Sequence, residues 1–178
     1  ALGYEALKAN TTGYRNNAIG YLALTTNTTG FQNNALGVNA LRYNTTGTNN
    51  VAIGHEAGLS VTTGIENTLI GSLAGDALTT GSDNTVLGKS ALSAGVASFY
   101  NTAIGHNALA ADTTGRLSVA VGRNALAAQN NTSSANMYNT AVGSSAGTAV
   151  TTGANNTLIG GLAGDAITTG ANNTAVGT

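Results

Sequence analysis

Cysteine, proline and tryptophan are absent from this sequence, and charge is scarce. With no cysteine there are no disulfides to staple the chain, and the redox compartment is left open. Charged residues make up 7% of the sequence, against roughly 25% in an average soluble domain, which argues against ordinary globular composition. Disorder is no better a description. Disordered chains are rich in charge and poor in regularly placed Ile, Leu and Val, whereas this one places them at fixed intervals. A net charge of −1 removes the electrostatic footprint of a nucleic-acid or anionic-membrane binder. No apolar run reaches the ~18 residues of a membrane span. No leader peptide is read at the start, where "ALGYEALKANTTG" already follows the internal pattern.

What the sequence does have is a period. Gly3, Gly20, Gly37, Gly54, Gly71, Gly88, Gly105 and Gly122 lie 17 residues apart, and Gly143, Gly160 and Gly177 resume the spacing after an interval of 21. With Ala1 as position 1, residues 1–178 form one repeat domain of ten coils and the start of an eleventh, with a four-residue insertion within 129–137. Since both ends fall inside the pattern, the chain reads as a fragment of a longer fibre.

Position 2 is always Ile, Leu or Val, and position 6 is always Ala. Period-two alternation along "NTAIG" puts positions 17 and 2 on one face of a strand and positions 16 and 1 on the other. The apolar run at position 2, with Val51 and Val119 at position 17, predicts that the first pair faces inward. Glycine is confined to a few positions, as expected of corners needing positive φ or close approach. Ser98 and Asn136 replace it at position 13, where Asn would tolerate a left-handed backbone. All charges fall at positions 4, 5, 8, 10, 14 and 15, which are therefore read as outward.

Positions 7 and 10 vary together. Where position 7 is Leu, as at Leu24, Leu41 or Leu109, position 10 is polar or Gly; where it is Gly, position 10 is Val61, Leu78, Val150 or Ile167. The two sites behave as competitors for one interior volume. The coils run three of Leu type then two of Gly type, twice over, so "NTLIGSLAGDALTTG" returns as "NTLIGGLAGDAITTG" 89 residues later.

These features predict an all-β fold, a parallel β-solenoid or β-roll with 17-residue coils, in which the Asn of position 16 stacks as an amide ladder ~4.8 Å apart. Short stretches such as "NALAA" suit a helix, but recurrent Gly and Thr-Thr-Gly interrupt any long one. A coil this thin buries little by itself, so further burial between chains in a homotrimer is expected.

The motifs "NTAIGHNAL", "NTAVGSSAG" and "NNTAVG" resemble the YadA-like head repeats of trimeric autotransporter adhesins, and "AIGYLALTTNTTGFQNNALG" is similar to shaft repeats of phage tail fibres. The resemblance covers the whole chain and implies a trimeric parallel β-roll with its axis along the fibre.

Sites of chemistry are sought without result. "GKS" at Gly88–Ser90 lacks the leading glycine of a phosphate loop, whose place is taken by Asp83. His55-Glu56 opens like a zinc-protease motif, but residue 59 is Leu, and His106 lies three coils away. No catalytic, cofactor-binding or metal-binding residue is assigned, and no enzymatic activity is expected. Asn10, Asn27 and Asn44 begin glycosylation sequons that the Asn-Thr bias of the repeat generates by default. Tyr4, Tyr14, Tyr21, Phe31, Phe99 and Tyr100 suit either packing across a chain interface or contact with a glycan.

The expected function is that of a structural fibre module, the shaft or head of an adhesin or tail fibre, extracellular at a cell surface or on a virion. Its expected partners are its own copies, as a homotrimer or filament, and a surface glycan or host receptor. An ice-binding solenoid using the Thr ladders of positions 11 and 12 is the alternative; adjacent strand residues face opposite ways, so only one ladder can meet ice. A pectate-lyase-like enzyme is disfavoured because no coil clusters acids and bases.

Overall fold

The computed structural model describes all 178 residues. Each repeat makes one turn around a common axis, and ten of the turns are joined by three-residue strands from positions 17, 1 and 2. Ten strands, from β1 (Asn17–Ile19) to β10 (Thr174–Val176), form one parallel sheet in sequential order. The register is one repeat per rung, with Asn17 opposite Asn34 and Ile19 opposite Leu36, and Leu2, on the rung below, adds a bridge to Ile19. The fold is an all-β parallel solenoid, as the period predicts.

Most of the hydrogen bonding lies outside the strands: 98 of 116 backbone bonds belong to turns and loops. Many of these also run from coil to coil. The Leu24 N–H donates upward to the Ala40 carbonyl, and the Leu22 N–H downward to that of Tyr4. Between them the Ala23 N–H closes a turn onto Gly20. This alternation replaces the short helices that "NALAA" suggested with tight turns. It requires positive φ at positions 5 and 7, where even Leu22 (57°) and Leu24 (51°) adopt it.

The interior corrects the assignment of strand faces. Position 1 points inward: Ala18, Ala52, Leu69, Val86 and Leu158 are buried. Position 2 points out, with Ile19 46% and Leu36 47% exposed. Val51 and Val119 at position 17 lie on that same outer face and are only half-buried. The narrow core accommodates the methyl of position 1 between the strand and the opposite turn, where position 6 also supplies a methyl (Ala23, Ala40, Ala57). Position 16 shares the inward face, so its asparagines are buried.

Positions 7 and 10 both point into this core. Leu41 and Asn44 are completely buried in one coil type, Val61 in the other. A third site joins their exchange. A Cβ placed on Gly58 would lie 2.7 Å from Leu69 Cδ1 and 3.0 Å from Leu41 Cδ2. The glycine therefore makes room for a leucine at position 1 of the next coil as well as for Val61.

Position 3 is Gly for two reasons. Gly37 has φ of +144°, a region open to glycine almost alone, and a Cβ there would collide with the carbonyl of Gly54 on the next rung. Position 13 is restricted only by close approach. Neither Ser98 nor Asn136 has positive φ, so the left-handed explanation for Asn136 does not hold. Asn136 pairs with Arg116 in an isolated bridge, and residues 132–136 form the exposed insertion.

Candidate functional site

Two amide columns run inside the solenoid. At position 16 each Asn accepts from the backbone of the next rung and donates to its position-13 carbonyl: Asn50 Nδ2 donates to Gly64 O at 2.8 Å, and Asn50 Oδ1 accepts the Asn67 N–H at 3.0 Å. The expected ladder is thus largely side chain to backbone, with side-chain pairs such as Asn84 Nδ2 to Asn67 Oδ1 (2.9 Å) added on some rungs. At position 10, Asn27 donates to Asn10 and Asn44 to Asn27, both at 2.8 Å. These bonds occupy the amides of two expected sequons, since Asn27 and Asn44 are buried, while Asn10 is half-buried.

The columns merge where each is interrupted. Ser118 replaces Asn at position 16, and Gln129 reaches across to donate to Asp112 Oδ2 (2.7 Å) and Ser118 Oγ (3.1 Å). Gln129 Oε1 accepts from Asn139 at 2.8 Å. Asp112 Oδ1 accepts the Gly115 N–H at 2.9 Å. Position 10 was read as outward because it carries this charge; Asp112 is in fact fully buried. Burial raises its carboxyl above the usual Asp range, only partly opposed by the hydrogen bond from Gln129 and by backbone donors.

The other titratable groups are exposed or half-buried; Asp76 is half-buried, and burial raises its carboxyl above the usual Asp range. His55 Nε2 stands 3.7 Å from Glu56 Oε1, while His106 and Lys89 are exposed on other coils. The "GKS" lysine therefore points to solvent beside a corner glycine. No three His, Cys, Asp or Glu side chains gather in metal-binding geometry. A cleft of about 300 Å³ opens at the C-terminal end, lined by Leu162, Asp165 and Val176 among others. No helix is long and apolar enough to cross a membrane.

The outer surface carries three columns. The first is the apolar one of position 2: Leu2, Ile19, Leu36, Ile53, Leu87, Val142 and Val176 are exposed, and Ile70, Ile104, Val121 and Ile159 half-buried. Composition missed its direction because position 2 keeps apolar residue types while facing outward. The second is threonine. At position 11 the hydroxyl of Thr28 donates to Thr45 O at 3.1 Å, and that of Thr45 to Thr62 O at 3.1 Å, so this ladder is committed to the rungs. At position 12, Thr12, Thr29, Thr46, Thr63 and Thr80 are exposed on five consecutive rungs.

The third is aromatic. Tyr4 stacks on Tyr21 with centroids 5.3 Å apart, and Tyr14 on Phe31 at 4.9 Å and 1°. Stacking along the axis covers one face of each ring in a pair. Phe99 meets the Arg116 guanidinium at 4.8 Å. Compared with family models, curated proteins and solved structures, the chain matches none.

Proposed function

We propose that this chain is a structural fibre module, the shaft or head of an extracellular adhesin or tail fibre, in which copies pack side by side as a homotrimer. One observation carries the reading: an unbroken column of Ile, Leu and Val runs outside the solenoid from Leu2 to Val176. Monomeric proteins rarely leave a continuous apolar stripe in water. Positions 17, 1, 2 and 3 bear no charge in any coil, so the outer strand face can be desolvated without stranding an ion. The repeat turns the stripe into a rod-long seam, and copies of one sequence match it rung for rung. In this reading the chain has no catalytic step, and its role is to hold a repetitive surface at a distance for attachment. Sedimentation equilibrium tests the assembly. Three copies are expected, and a stable monomer across the accessible concentration range contradicts it.

A second reading, ice binding, rests on the free hydroxyl column of position 12. It requires thermal hysteresis in the purified protein; its absence removes the reading.

A further inference from the structure

We propose that coils 6 to 8 hold a linear anionic polysaccharide along the solenoid axis, through the column Lys89, His106 and Arg123. These residues occupy position 4 of successive rungs. The Asn107 N–H donates to the Lys89 carbonyl at 3.1 Å, and the Asn124 N–H to the His106 carbonyl at 2.9 Å, which fixes the three as direct neighbours in one column. All three side chains are exposed. None joins an ion pair; the two in the structure are Lys8 with Glu5 and His55 with Glu56.

The surroundings are one-sided in charge. Between Asp83 and Asp165 the only acid is Asp112, which is buried, so every formal charge this stretch shows to solvent is positive. In a chain with just 6 Lys and Arg, Lys89 and Arg123 stand two rungs apart, about 10 Å at the rung spacing, with no acid to offset them. Such a row attracts a polymer whose negative groups recur along a line.

A polysaccharide with an acidic group on its sugars has that form, advancing by roughly one rung per sugar. Ser90, Asn107 and Asn124 follow Lys89, His106 and Arg123 directly in sequence and add a hydroxyl and two amides suited to sugar hydroxyls. Nucleic acid fits less well. Its phosphates recur about every 3.4 Å along a strand, and position 4 of these coils offers no Tyr, Phe or Trp for base stacking. In a trimer the column would appear three times, multiplying a weak contact. The inference extends the attachment role proposed above by naming a ligand class.

Titration of the full chain with heparin and with polygalacturonate, using neutral dextran as the control, tests it. Binding to an acidic polymer is expected, weakening with salt, and falling at least tenfold in Lys89→Gln/Arg123→Gln. The matched variant Arg15→Gln/Arg42→Gln should keep it. Absence of binding by the unaltered chain, or equal loss in both variants, overturns the proposal. Equal or tighter binding of duplex DNA reassigns the column to nucleic acid and also overturns it. Salt-reversible self-association abolished by the first variant gives the column to the acidic stretch Glu56–Asp83 of another copy, with the same result. A monomer that still binds the polysaccharide refutes the trimer and leaves this inference standing.

Discussion

Leu69 occupies the space that Gly58 leaves open: its Cδ1 lies 2.7 Å from where a Gly58 Cβ would stand, and its Cδ2 lies 2.9 Å from the corresponding point on Gly75. Gly147 and Gly164 embrace Leu158 in the same way. The two Gly-type coils of each five-coil unit are thus a mould around one position-1 leucine.

Gly58→Ala should therefore destabilise the chain by about 1–3 kcal/mol through overpacking, and Leu69→Ala by about 2–5 kcal/mol through a cavity. In the double variant the alanine methyl enters the vacated space, so the combined loss should be smaller than the sum. Denaturant unfolding of the four proteins measures the coupling. Strict additivity would show that the two side chains do not share a volume.

Asp112→Asn should stabilise the protein at neutral pH. The folded-state pKa of Asp112 is raised, first by burial, so the folded chain holds the proton more tightly than the unfolded one. Below the unfolded value both forms are protonated and nothing is lost. As pH rises toward and through the folded value, ionisation costs stability, and the full cost remains above it. A gain in stability is therefore expected at pH 7, shrinking toward pH 3. Melting curves of both proteins across that range give the answer. Asn is already accommodated at this position in Asn27 and Asn44.

Removing one member of the position-16 column should cost more than its size suggests. Asn67 donates to Gly81 O at 2.9 Å and accepts the Asn84 N–H at 3.2 Å. Asn67→Ala leaves both backbone groups buried and unpaired, at about 1–3 kcal/mol each. Asn67→Asp keeps the acceptor but loses the donor and buries a charge, and should not rescue. Chemical denaturation checks both.

Ile53→Asp distinguishes an interface from a bare surface. On a monomer, a substitution at this exposed site should change stability by no more than about 0.5 kcal/mol. In the proposed trimer it places a charge within the seam and should dissociate the assembly with the β-sheet signal preserved. Mass in solution, read with circular dichroism, separates the two outcomes.

Much of the fold was legible because repetition exposes what each position tolerates. The 17-residue period, the insertion, the corner glycines and the exchange between Leu41-type and Val61-type coils all follow from aligned positions. Direction was harder. An uninterrupted apolar position reads as inward by residue type alone, yet Ile19 and Leu36 face outward. A signal was present: Leu69, Val86 and Leu158 at position 1 are apolar replacements for Ala, and ordered amides at position 16 suit the interior. Asp112 is misleading because a single charge reads as the mark of an exposed column, whereas hydrogen bonds from Gln129 and Gly115 accommodate it inside. The positive φ at Leu22, Leu73 and Leu162 left no trace in residue type, since leucine seldom adopts it alone and here does so to keep the alternating bonds between coils.

Those bonds join each turn only to the one before and the one after, and the two termini lie at opposite ends of the stack. Tension applied between the ends would consequently peel turns off singly, like thread from a spool, instead of shearing many at once. Each detachment would pay out about 55 Å of slack, and the turn bearing the insertion would pay out a longer step than the rest. A rod built this way yields under load in small, nearly equal increments and stays intact beyond the last loosened turn.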